Sequence, residues 1–215
     1  MKIDGTENDY LFYKTWLSRE KLDWLLTARK VLNKWEKKAN EPKYTNYTYL
    51  YVVKDRIDGL DNTTLMCTDG HRIHVIRGVS QIMGYELPVG KYLILSNTKD
   101  CLKLRWLDAD LLPVGGEMGW LKCVTPKNIC VHRGQWNICP YPSETNFSKP
   151  VLDFLYALPY KAYFNIKHLA DMCMDSAKWV FWIDMENQSN AVIFQHKECI
   201  ELVAAMMPLN GEKHA

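Results

Sequence analysis

The sequence predicts an α+β fold in which helices cover one side of antiparallel sheets, and three observations predict it. One order, a strand, a helix and then a run of strands, recurs over residues 8–78, 90–142 and 161–209. The strand-like runs are short and separated by turn residues, as antiparallel strands are. Hydrophobic residues make up 47% of the 215, ample for a core and contrary to extended disorder.

The elements follow in order. "TWLSREKLDWLLTARKVLNKWEKKAN" (15–40) predicts one helix, capped by Ser18, with Glu20 in the first turn where the helix dipole favours an acid. Leu22, Leu25, Leu26 and Leu32 form its apolar stripe, extended by Trp35, and Pro42 marks the exit. Lys30, Lys34, Lys37 and Lys38 follow helical spacing and share another face. "YTYLYVVK" (47–54) and "TTLMCTDGHRIHVIRG" (63–78) predict a hairpin around the turn-rich "IDGLDN" (57–62), with a bulge or bend at Asp69-Gly70. "KYLILSNTKDCLKLRWLD" (91–108) predicts a strand, then a short helix from Asn97 or Thr98 carrying Lys99 and Lys103. Residues 119–142 predict two or three strands with a turn near Pro126-Lys127-Asn128, and "SETNFSKP" (143–150) a loop. Over 161–209 a strand and a helix precede strands at 178–185, 190–196 and 199–206.

Composition narrows the function. No stretch reaches the roughly 18 apolar residues of a membrane span, and "MKIDGTENDY" lacks the apolar core of a secretory signal. A cytoplasmic protein is therefore expected, its seven scattered cysteines, without any CxxC, reduced and mostly buried. A net charge of +2 does not argue nucleic-acid binding alone. The placement of charge has to decide, and phosphate contact needs only loosely placed lysines such as those above.

"CTDGHRIHVIRG" (67–78) is dense in polar groups and raises the question of a metal or catalytic cluster. Cys67, His71 and His74 form one candidate ligand set, and Cys123, Cys130, His132 and Cys139 another. Neither has the paired spacing of zinc folds. On a strand His74 points away from Cys67, His71 and Ile73 unless Gly70 resets the phase. No nucleophile elbow, cysteine-nucleophile signature, phosphate loop or dinucleotide fingerprint occurs. The expectation is no catalytic residue, no metal and no cofactor, with a metal- or thiol-dependent enzyme as the minor alternative.

Four stretches in a consistent order resemble the bacterial DNA polymerase III beta subunit, the sliding clamp. "TDGHRI" (68–73) is similar to the family's TDGHRL signature. "ELPVGKYLILSNTKDCLKLRWLD" (86–108), "YFNIKHLADMC" (163–173) and "VAAMMPL" (203–209) resemble the clamp segments that follow, the last of them the terminal strand. The resemblance implies a DNA-clamp-like fold of about one and a half clamp domains. Residues 1–158 resemble the middle domain, and 159–215 contain the counterpart of the C-terminal half of the last one. An ordinary dimer of such a chain would not close the family's six-domain ring.

In that family the signature strand and the terminal strand border a pocket for short linear peptides. Carried over by position, Thr68, Gly70, His71, Arg72 and Ile73 form one wall and Met206, Met207, Pro208 and Leu209 the other, with His71 and Arg72 at the rim. The implied partners are peptides of the DNA polymerase or clamp-loader type. Non-specific duplex DNA would contact Lys30, Lys34, Lys37, Lys38, Lys99 and Lys103, and the C-terminal half-domain would support a homo-oligomer. The implied role is a non-enzymatic processivity factor, of phage or mobile-element kind. The alternative is a decoy that keeps the pocket without encircling DNA. Departures from the family are Ser96 for its usual Pro, Asn210 for its frequent Arg, and the extension "GEKHA" (211–215), which could obstruct the pocket.

Overall fold

In the computed structural model, the residues described are 8–39, 46–57, 60–79, 87–108, 136–140, 166–172, 179–184 and 191–207. The expected domain boundary at 158–159, the expected strands of 119–135 and the strand of 161–165 fall outside them. The chain divides into two compact units, residues 1–70 with 74–119, and residues 71–73 with 120–215.

The first unit is built on strands β1 (Asp9–Tyr13), β2 (Leu50–Ile57), β3 (Leu60–Thr68), β5 (Gly90–Asn97) and β6 (Cys101–Asp108), with the end of β4 (Arg72–Ile76) beside β3. Their order is β1-β6-β5-β2-β3-β4. The β2–β3 hairpin is the expected one, but its arms run further. Ile57 pairs with Leu60, which leaves only the Asp-Gly dipeptide to connect them. That dipeptide is among the most favoured two-residue hairpin connections. Tyr51, Val52, Leu65, Cys67, Leu102 and Leu104 are buried with Phe12, Leu22 and Leu25. Burial pushes the Cys67 thiol up to about 12, against a smaller downward pull from Arg29.

Two expected helices are corrected. The segment 15–40 is not one helix but two, α1 (Arg19–Thr27) and α2 (Lys34–Ala39). Ser18 does cap α1, its hydroxyl accepting from Lys21 N–H at 3.3 Å. Past Thr27 the chain leaves the helix, and Lys30 N–H donates to the Tyr47 carbonyl at 2.9 Å. α2 then restarts under its own cap. Asn33 Oδ1 accepts from Trp35 N–H at 3.0 Å and Glu36 N–H at 2.9 Å, while Glu36 Oε2 accepts from Asn33 N–H at 3.0 Å. This reciprocal pair is a capping box with Asn in the usual place of Ser or Thr.

The second correction lies at 97–103, where a turn and a strand replace the expected helix. Thr98 Oγ1 does accept an N–H three residues on, as a helix cap would, but the donor is Cys101, the first residue of β6. Thr98 N–H also donates to the Cys101 carbonyl at 3.0 Å, closing a β5–β6 hairpin. The alternation of buried Leu102 and Leu104 with Lys103 and Arg105 is the period-two pattern of a strand.

The second unit holds β7 (Trp136–Pro140), α3 (Ile166–Met172), β8 (Trp179–Asp184), β9 (Val192–His196) and β10 (Leu202–Met206), its sheet in the order β10-β9-β8-β7. All three pairings are antiparallel. The three last strands fall within the expected ranges. Every residue of β10 is buried, as are Trp179, Phe194, Leu169 and Met172. Residues 71–73 belong to this unit, and Met207 N–H donates to the His71 carbonyl at 2.9 Å. Among the described residues antiparallel sheet dominates and helices are few and short. None of those helices is long and apolar enough to cross a membrane.

Candidate functional site

The signature stretch begins with a turn in the first unit. Thr68 Oγ1, buried, accepts from Gly70 N–H at 3.0 Å and bends the chain after β3. Gly70 takes φ +91°, and a Cβ there would lie 2.9 Å from the Tyr47 ring. Both the backbone angle and the ring demand glycine. The expected bend at Asp69-Gly70 is therefore present, and Thr68 and Gly70 serve to make it.

His71 and Arg72 then part. His71 is exposed, its ring 6.2 Å from that of His168 on α3. Arg72, expected at a rim, is 5% exposed. Its Nη1 donates to Asp171 Oδ2 at 2.8 Å and to the His168 carbonyl at 3.3 Å. The guanidinium thus ties this strand to α3, with a cation near the helix's C-terminal turn where the dipole favours it. Asp171 and His168 were not singled out from sequence, although their i, i+3 spacing puts them on one helix face. Ile73 and Met206 are buried and Met207 half-buried. Pro208, Leu209, Asn210 and the extension 211–215 lie outside the described residues.

The suspected ligand set does not converge. Cys67 is sealed in the core, and His71 is exposed. His74 is buried, stacked on Trp24 with ring centroids 4.4 Å apart, its Nδ1 2.7 Å from the Trp24 carbonyl oxygen. Among the described residues no three His, Cys, Asp or Glu side chains gather as a metal site would require. Cys123, Cys130 and His132 lie outside the described residues, and the Cys139 side chain is likewise not described.

The six candidate lysines divide. Lys34, Lys37 and Lys38 are exposed on α2, at helical neighbours' spacing. Lys30 is off the helix and half-buried, its ammonium bound to Glu36. It therefore does not share a helix face with the other three, a correction to the sequence reading. Lys99 is exposed in the β5–β6 turn and Lys103 lies on β6, 3.8 Å from Asp9 Oδ2. Asp9 also takes two hydrogen bonds from Arg105, at 2.8 and 3.2 Å. That hydrogen bonding holds the Asp9 carboxyl below its usual value. Glu36 is lowered as well, by hydrogen bonds from Lys30 and the Asn33 backbone. Ser96, where the clamp family usually has Pro, follows a register shift in β5, a kind of irregularity at which either residue is tolerated.

No family model matches this sequence, and no curated protein matches it significantly. Solved structures do. The Caulobacter crescentus beta sliding clamp, crystallised with PEG bound, is similar over 98% of this chain and 68% of its own, with 11% identity and a TM-score of 0.53. A second structure of the C. crescentus pol III beta has the same coverage and identity at 0.51. A DNA polymerase III beta subunit from Eubacterium rectale aligns over 98% and 68% with 8% identity, also at 0.51. The chain has a clamp-like fold.

Proposed function

We propose that the protein is a clamp-like DNA replication accessory factor without catalytic activity of its own. In this reading the second unit takes short peptides of the polymerase or clamp-loader type, and lysines of the first contact duplex DNA. The supporting observation is the likeness to beta sliding clamps over 98% of the chain. His71 and Met207, joined backbone to backbone, are the described residues best placed to meet a peptide. A soft thioether suits a surface serving several partners. Arg72 acts indirectly, by holding α3 in place. DNA contact falls to Lys34, Lys37, Lys38 and Lys99, with Lys30 and Lys103 engaged by carboxylates, and is sequence-independent and salt-sensitive.

The test is titration with a peptide carrying Gln followed by Leu and Phe anchors, alongside a duplex at about 50 mM salt. The peptide is expected to bind in the micromolar range, about −8 kcal/mol. Met207→Ala is expected to weaken it about tenfold, the share of one partly buried side chain. Binding of neither probe refutes the reading. Peptide binding without DNA binding would replace it with the decoy reading, and light scattering with and without circular DNA reads the assembly.

A further inference from the structure

We propose that α2 is a docking point for single-stranded nucleic acid: Trp35 offers its indole to an unpaired base while Lys34 and Lys38, one helical row beside it, hold the flanking phosphates. Trp35 is 62% exposed and Val31, in the segment leading into α2, 80% exposed. A singly exposed indole is ordinary by itself, but one with cations beside it presents a stacking face next to phosphate-binding groups. Here Lys38 is the helical neighbour of Trp35 at i+3 and Lys34 precedes it, while Lys37 at i+2 lies across the helix. The acid of the helix, Glu36, is buried and bound to Lys30, so it does not neutralise them. α2 has only six residues, but the Asn33–Glu36 box fixes its first turn, and the Trp35 N–H itself is held by Asn33 Oδ1. The indole is thus carried on an ordered backbone. The combination of a stacking surface and nearby cations fits a strand whose base faces are open. In a duplex those faces are covered by neighbouring bases, and only the lysines would act.

The inference rests on the DNA-contact reading for the lysines and adds the indole, so the test separates the two. Anisotropy is measured with oligo(dT) of about 20 nucleotides and with a duplex of equal length, at about 50 mM salt. Wild type is compared with Trp35→Ala, Trp35→Phe and the triple change of Lys34, Lys37 and Lys38 to Glu. Trp35→Ala is expected to weaken oligo(dT) binding about tenfold, the scale of one stacked base, and to leave duplex affinity within about twofold. Trp35→Phe, which keeps a ring, is expected to restore most of it. The triple change is expected to weaken both ligands. The proposal is overturned if Trp35→Ala weakens both equally or neither, or if anionic vesicles bind in a Trp35-dependent way while oligo(dT) does not bind. Trp35-dependent oligo(dT) binding with no duplex binding would sink the duplex reading and leave this one standing.

Discussion

The Arg72 guanidinium lies 2.8 Å from the Asp171 carboxylate, a pair 99 residues apart in sequence. The two ends are unequal, since Arg72 is buried and the Asp171 side chain is 31% exposed. Removing the acid leaves a cation in the interior, whereas removing the base leaves an acid that water can reach. Asp171→Asn is expected to cost about 2 kcal/mol and Arg72→Met distinctly less. Urea denaturation of the two variants reads the difference, and a larger loss for Arg72→Met would contradict this account.

Gly70→Ala meets two obstacles, the positive φ and the Tyr47 ring. The expected loss is about 2 kcal/mol. Adding Tyr47→Ala clears the ring and leaves the backbone strain, so the double variant is expected to recover only part of the Gly70 penalty. Thermal unfolding midpoints of the single and double variants test this.

Asn33→Ala removes half of the capping box and is expected to cost α2 about 1 kcal/mol. The expected readout is local opening of α2, seen as faster amide exchange at Trp35, Glu36 and Lys37 with exchange in β2 and β3 unchanged.

Asp9 and Glu36 both titrate below their ordinary values of 3.8 and 4.5. A carboxylate lowered on folding stabilises the fold above its unfolded pKa and loses that contribution as pH falls through the folded one. Stability is therefore expected to fall on acidification below about pH 4.5. Asp9→Asn should flatten part of that fall while lowering stability at neutral pH. Melting temperatures from pH 7 down to about pH 3 test the sign.

The parts legible in sequence were those set by local pattern. The β2–β3 hairpin, the Ser18 cap and the last three strands all follow from alternation and turn chemistry within a few residues. The break after Thr27 was hidden because Leu32 and Trp35 continue the stripe of Leu22 and Leu25 in helical phase. Its one signal was Asn33 followed three residues later by Glu36, a second helix start. Thr98 misled for a physical reason: the same hydroxyl-to-amide bond closes a helix turn or a hairpin, and only the alternation after it distinguishes them. The site was less legible. Gly70 announced its bend, but the burial of Arg72 depends on a carboxylate from a distant helix.

Cys67 sits sealed within β3, its thiol pushed up to about 12. At pH 7 such a thiol is held in its protonated form, and the thiolate is the form that alkylating agents attack. While the hairpin stays closed, Cys67 is chemically silent; once β3 is exposed it becomes an ordinary reactive thiol. Cys101 and Cys199, half-buried, react on a different footing. Slow alkylation at Cys67, resolved by peptide mass, therefore serves as a native clock for how often the first unit opens, with no label or substitution introduced.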